Sequence, residues 1–119
     1  MKAYYDEKPL AFAKVGNVSY LYRFNIEKIT KEDENGISEL YQCDEVTVWN
    51  PITSNKVTQT VITTMYNRDF EQKLINEYNA VKLGISTDTT KLDAYTNYLT
   101  ERDNLKKQID NDCKENGIN

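Results

Sequence analysis

The chain has 119 residues, of which 39% are hydrophobic and 29% charged, with a net charge of -4 and no histidine. That length suits one core rather than two, and no run approaches the roughly 18 apolar residues of a membrane-spanning helix. The missing imidazole removes His-dependent nucleophilic sites, and the acidic balance without clustered Lys or Arg argues against direct nucleic-acid binding.

The first residues, Met1 to Lys8, reach acidic side chains before any apolar run, which predicts an intracellular start with no signal peptide. Residues 3 to 6 are short and aromatic enough to add an edge strand. Ala11 to Val15 and the segment from Val18 onward read as two strands around a Gly16-Asn17 turn, since both residues tolerate the positive φ of tight hairpins. Val18, Tyr20, Tyr22, Phe24 and Ile26 then alternate with mostly polar residues, giving one aromatic face. The charged run Lys31 to Asn35 followed by Gly36 predicts a turn. Ile37 to Trp49 reads as a further strand whose hydrophobic phase switches around Gln42 to Glu45, the signature of a bulge or bend.

Asn50-Pro51 ends the sheet because proline cannot donate to a ladder, and Thr53 or Ser54 can cap a helix whose buried stripe is Val57, Val61, Ile62 and Met65. Asn67 caps a second helix carrying Phe70, Leu74, Ile75 and Tyr78, stopped at Leu83-Gly84. Thr90-Lys91-Leu92-Asp93 resembles a capping box opening a third helix that runs to about Asp112. Some 23 residues of helix extend roughly 35 Å, more than a three-stranded sheet covers. The stripe Leu92, Tyr95, Leu99, Leu105 and Ile109 therefore either lies across the sheet with a frayed end or meets a second copy or another chain. Arg102 and Lys106 interrupt it as a strict coiled-coil seam. The fold class expected is α+β: residues 1-52 as an antiparallel meander of three or four strands, and residues 53-119 as two short helices and one long helix packed on it.

No phosphate-cradling glycine loop, HExxH or Cys-x-x-Cys occurs, and the acidic clusters Glu32-Asp33-Glu34 and Asp44-Glu45 fit turns and strand ends better than a paired-carboxylate site. No cofactor, metal site or enzymatic activity is expected; a carboxylate-based hydrolase is the remote alternative. Cys43 and Cys113 are expected to be free structural thiols. Nine tyrosines are more notable, because Tyr combines apolar area with a polar tip and is enriched at interfaces. Tyr4 and Tyr5, near the start, are interface candidates together with the Leu92, Tyr95, Leu99, Leu105 and Ile109 stripe.

The order of parts is an aromatic meander containing Tyr41-Gln42-Cys43-Asp44-Glu45-Val46-Thr47-Val48-Trp49, an Asn-Pro break, a short helix ending at Met65-Tyr66, a helix from Phe70 through Tyr78, and a charged terminal helix with Tyr95 and Tyr98. In layout, over roughly residues 37 to 110, this resembles small accessory proteins of phages and prophages of gut Bacteroidales, found near tail and fibre genes. The resemblance implies a non-enzymatic virion or assembly protein. Its partners would be other phage structural proteins or copies of itself, with neither membrane nor nucleic acid, and it would reside in the host cytoplasm during assembly or in the virion. The Thr-rich segment Thr53 to Thr64 and the polar Ser86 to Thr90 connection depart from that layout. The alternative is a small binding or regulatory domain of a bacterial mobile element.

Overall fold

The computed structural model describes all residues, 1-119. Four strands, β1 (Lys2–Tyr5), β2 (Phe12–Val15), β3 (Ser19–Asp33) and β4 (Gly36–Trp49), are followed by α1 (Ser54–Met65), α2 (Arg68–Lys82) and α3 (Thr90–Glu115). The strands form one antiparallel sheet in the order β1-β4-β3-β2, so the fold is α+β with strands before helices. Because β1 and β2 lie at opposite edges, residues 6 to 11 must cross a face of the sheet. Arg23, which points away from the buried Tyr22 and Phe24, donates from Nη1 to the Leu10 carbonyl, so the crossing runs over the face opposite the helices.

Alternation in β3 works as expected at its start: Tyr22 and Phe24 point to the helices with Val46 and Val48 of β4, while Leu21 and Arg23 point away. Two local expectations need correcting. Val15 pairs with Ser19, so the β2–β3 loop holds three residues, Gly16, Asn17 and Val18, with Gly16 at φ 59°, and Val18 lies exposed in the loop instead of beginning the aromatic face. The bulge lies on β3, not on β4. Pairing jumps from Phe24↔Asp44 to Glu27↔Gln42, so Asn25 and Ile26 together oppose Cys43, and Asn25 takes a φ of 52°, a left-handed conformation that Asn tolerates. The phase change visible in β4 is thus the shadow of an extra residue in its neighbour. The extra residue also puts Glu27, Ile29 and Lys31 on the same face as Gln42, Leu40 and Ser38.

One core joins strands and helices: Tyr22, Phe24, Val46 and Val48 from the sheet meet Val57 and Val61 of α1 and Leu105, Ile109 and Cys113 of α3. α1 is capped by Thr53, whose Oγ1 accepts from the Lys56 amide, and α2 by Asn67, whose Oδ1 accepts from the Phe70 amide, as their sequences suggest. At α3 the cap differs. Thr89 makes no side-chain capping bond, and Asp88 Oδ1 instead accepts from both the amide and the hydroxyl of Thr90. These bonds hold the Asp88 carboxyl below its usual value. Only the C-terminal half of α3 contributes to the shared core. Its N-terminal half leaves the sheet and runs beside α2, whose buried residue is Leu74.

Candidate interaction surface

Beyond the last β1 pair, Tyr5↔Tyr41, β3 and β4 continue as a two-stranded arm from the Ile29↔Leu40 pair to the turn at Asp33↔Gly36. No residue from Glu27 to Glu39 is buried, and Ile37 is 74% exposed. The sequence makes such an arm possible because its long strands are punctuated only at Asn35-Gly36, and Asp33 Oδ1 accepts from the Asn35 amide to close the turn. On one arm face Lys28 pairs with Glu39 at 2.8 Å, and that carboxylate raises the lysine's affinity for its proton. On the other, Tyr4, Ile29, Thr30, Lys31 and Leu40 line a shallow pocket at the root of the arm.

The arm also has a free hydrogen-bonding edge. β2 stops pairing with β3 at Tyr22, the Arg23 amide makes one further bond to the Ala11 carbonyl, and from the bulge at Asn25 to Asp33 no strand lies on that side of β3. Glu27 and Lys31, both on the Ile29 face of this segment, have no oppositely charged partner within the chain: Glu27 accepts only from Gln42, at 3.3 Å, and Lys31 makes no ion pair.

Behind the arm, two polar groups fix its base. On the face away from the helices, the Tyr5 hydroxyl bonds to the Glu45 carboxylate and the Arg23 guanidinium lies 4.9 Å from the Tyr5 ring centroid. Arg23 Nε donates to Glu45 at 3.0 Å and Nη2 to the Tyr5 hydroxyl at 3.0 Å. Desolvation would lower the Arg23 pKa, but the bonds to Glu45 and Tyr5 outweigh it and the net shift is upward; the Glu45 bond raises Tyr5 as well. With Leu10 also bonded, the guanidinium is occupied by the chain itself, so the cluster is a clip for the first strand and its crossing segment. On the helix-facing side the nearly buried Asp44 takes Lys2 at 3.2 Å and the Asn25 amide at 2.9 Å, and Gln108 of α3 reaches Asn25 at 3.3 Å. Bulge, β1 and α3 are thereby tied at one point.

The second projection is the α2–α3 pair. An aromatic seam runs along it: Tyr66 and Phe70 meet Tyr98 edge-on at 5.1 and 6.2 Å, Tyr95 stacks on Tyr98 at 6.3 Å, and Tyr78 tilts against Tyr95 at 5.0 Å. Tyr98 donates to Glu71 at 2.6 Å; burial first and this bond second push its phenol up to about 12.

The interface residues expected from sequence therefore separate. Tyr4 is 58% exposed at the arm root, while Tyr5 is held in the clip. Leu92 is half-buried, Tyr95 is half-buried against Tyr78 of α2, and Leu99 is 44% exposed. Leu105 at 9% and Ile109 at 0% exposure lie in the chain's own core, covered by sheet and α1, and present nothing to a partner. The free edge of β3 was missed by reading the strand's faces alone; the excess length of β3 over β2 was its signal. Cys43 and Cys113 are free and buried, on opposite faces of the sheet. No helix is long and apolar enough to cross a membrane. Compared with known proteins, the chain matches no described family, no curated protein and no solved structure.

Proposed function

We propose that this chain works by protein–protein contact, as a non-enzymatic structural or assembly component. The observation that carries this reading is how much surface the chain holds outside its core. Its radius of gyration is 18.3 Å, against about 13.5 Å for a compact chain of this length, and its accessible surface is 8372 Å², against about 6,700 Å² for its mass. The surplus comes from the β3–β4 arm and the α2–α3 projection, both of ordered secondary structure. Order maintained outside a core is useful when a partner supplies the missing contacts, because a pre-formed element loses less conformational entropy on binding.

The assignment to a tailed-phage particle, at its tail or fibre, rests on the layout resemblance described above and is part of the proposal. Quantitative mass spectrometry of particles purified from the producing cells tests it. The chain is expected at a fixed copy number relative to the major structural proteins, or in assembly intermediates at such a ratio. Its absence from both, with the chain present free in the same cells, overturns the assignment and favours a regulatory domain of a mobile element.

A further inference from the structure

We infer that the free edge of β3 pairs with the same edge of a second copy, antiparallel and centred on Ile29, so that two arms join into one four-stranded ribbon. This deepens the reading of the chain as a contact protein by naming one partner. Two-fold pairing of identical antiparallel strands places the axis perpendicular to the sheet, so each residue opposes one an equal distance on the other side of the central residue.

Four observations select that centre. The unpaired segment of β3 runs from the bulge at Asn25, just past the last bond to β2, to Asp33 at the turn, and its midpoint is Ile29. Centring there sets Glu27 opposite Lys31 of the second copy and Lys31 opposite its Glu27, two opposite-charge pairs with no like charges opposed. Shifting the centre by one residue is less favourable in either direction: at Lys28 that side chain meets its own copy, and at Thr30 two Lys28–Glu32 attractions are offset by two Glu27–Asp33 repulsions. Glu27 and Lys31 find no ion pair within the chain, nor does Asp33 at the turn, which accepts from the Asn35 amide, whereas Lys28 on the other face is already paired to Glu39. Finally, Ile29 pairs with Leu40 inside each arm, so the join lines up Leu40, Ile29 and their two copies in one apolar row across four strands.

Charged residues on an edge strand ordinarily discourage pairing. Here only the register centred on Ile29 gains opposite-charge pairs without opposing like charges, which is how charge confers specificity on a main-chain interaction that is otherwise tolerant of sequence.

Sedimentation of charge-swap variants tests the inference, at low salt and over a range of concentrations up to the solubility limit. The wild-type chain is expected to dimerise, more weakly as salt is raised. Glu27→Lys and Lys31→Glu, each opposing like charges twice, are expected to weaken the dimer about tenfold or more. Carrying both changes in one chain restores it, and mixing the two single variants yields a heterodimer although each alone is a monomer. Both positions are exposed, so circular dichroism should be unchanged. A wild-type chain that stays monomeric throughout overturns the inference, as do single variants that dimerise like wild type or a mixture that does not associate. Particle analysis separates this from the broader reading: a monomer found in particles removes self-pairing alone, while a charge-swappable dimer absent from all assemblies removes the assembly role alone.

Discussion

Tyr22 holds the core at two points. Its ring stacks with Phe12 and Phe24 at 4.6 and 5.1 Å, and its hydroxyl donates to Asp112 on α3 at 2.6 Å. Burial first and the Asp112 bond second push its phenol far above the usual tyrosine range. Tyr22→Phe keeps the stack and leaves a carboxylate without its donor, a loss of about 1.5–3 kcal/mol, to be read from the urea midpoint at constant slope. Cys113 gives a pH dependence. Burial, followed by the nearby Asp110 and Asp112, raises its thiol from 9.0 to about 11. The unfolded chain therefore loses this proton first, so stability falls as pH rises through about 9 and the contribution is gone above about 11. Urea unfolding across that window should show the decline, and Cys113→Ala should flatten part of it; an unchanged slope would assign the alkaline loss elsewhere, to Tyr22 and Tyr98. At this scale Tyr22 and Phe24 were legible because alternation is local. Asp44 was not: it reads as a solvated strand end, and its burial depends on Lys2 and Asn25, which only the folded sheet brings to it.

Among the elements, α3 shows what periodicity can and cannot tell. Its existence, its approximate bounds and most of its apolar stripe follow from spacing. Its division of labour does not, because one stripe packs on the sheet and α1 at Leu105, Ile109 and Cys113 and then along α2 at Tyr95 and Tyr98. A stripe longer than the sheet does not require a second chain when α2 turns back along it. The consequence is measurable. Leu105→Ala or Ile109→Ala should each cost about 2–5 kcal/mol of unfolding free energy, and replacing both by Ser should unfold the chain rather than yield a folded species of lower mass. Leu99→Ser, on the exposed side, should stay within about 0.5 kcal/mol of wild type. A folded double-Ser variant by circular dichroism would contradict this placement. The β-bulge teaches the complementary lesson. A phase change in β4 was visible, but assigning the extra residue to Asn25 of β3 requires the register between strands, which neither strand carries alone.

For the whole molecule, the chain divides its residues between a small shared core and two projections, and its overall dimensions are 56 × 42 × 21 Å. Strand lengths and the Asn35-Gly36 turn made a long hairpin legible. That it would outrun its neighbours was less so, since the reach of β3 past β2 depends on which strands become edges. The claim joining fold to function is that the arm makes the contacts the chain exists to make. Because no residue between Glu27 and Glu39 is buried, the arm can be shortened without opening the core. The most direct test removes residues 30 to 39, links Ile29 to Leu40 through an Asn-Gly hairpin turn, and compares incorporation of this chain and wild type into the assembly, by mass spectrometry of purified particles. The account predicts a shortened chain with a urea midpoint close to wild type, no self-association, and loss from particles. A shortened chain that folds as well and is incorporated at the wild-type copy number would contradict it.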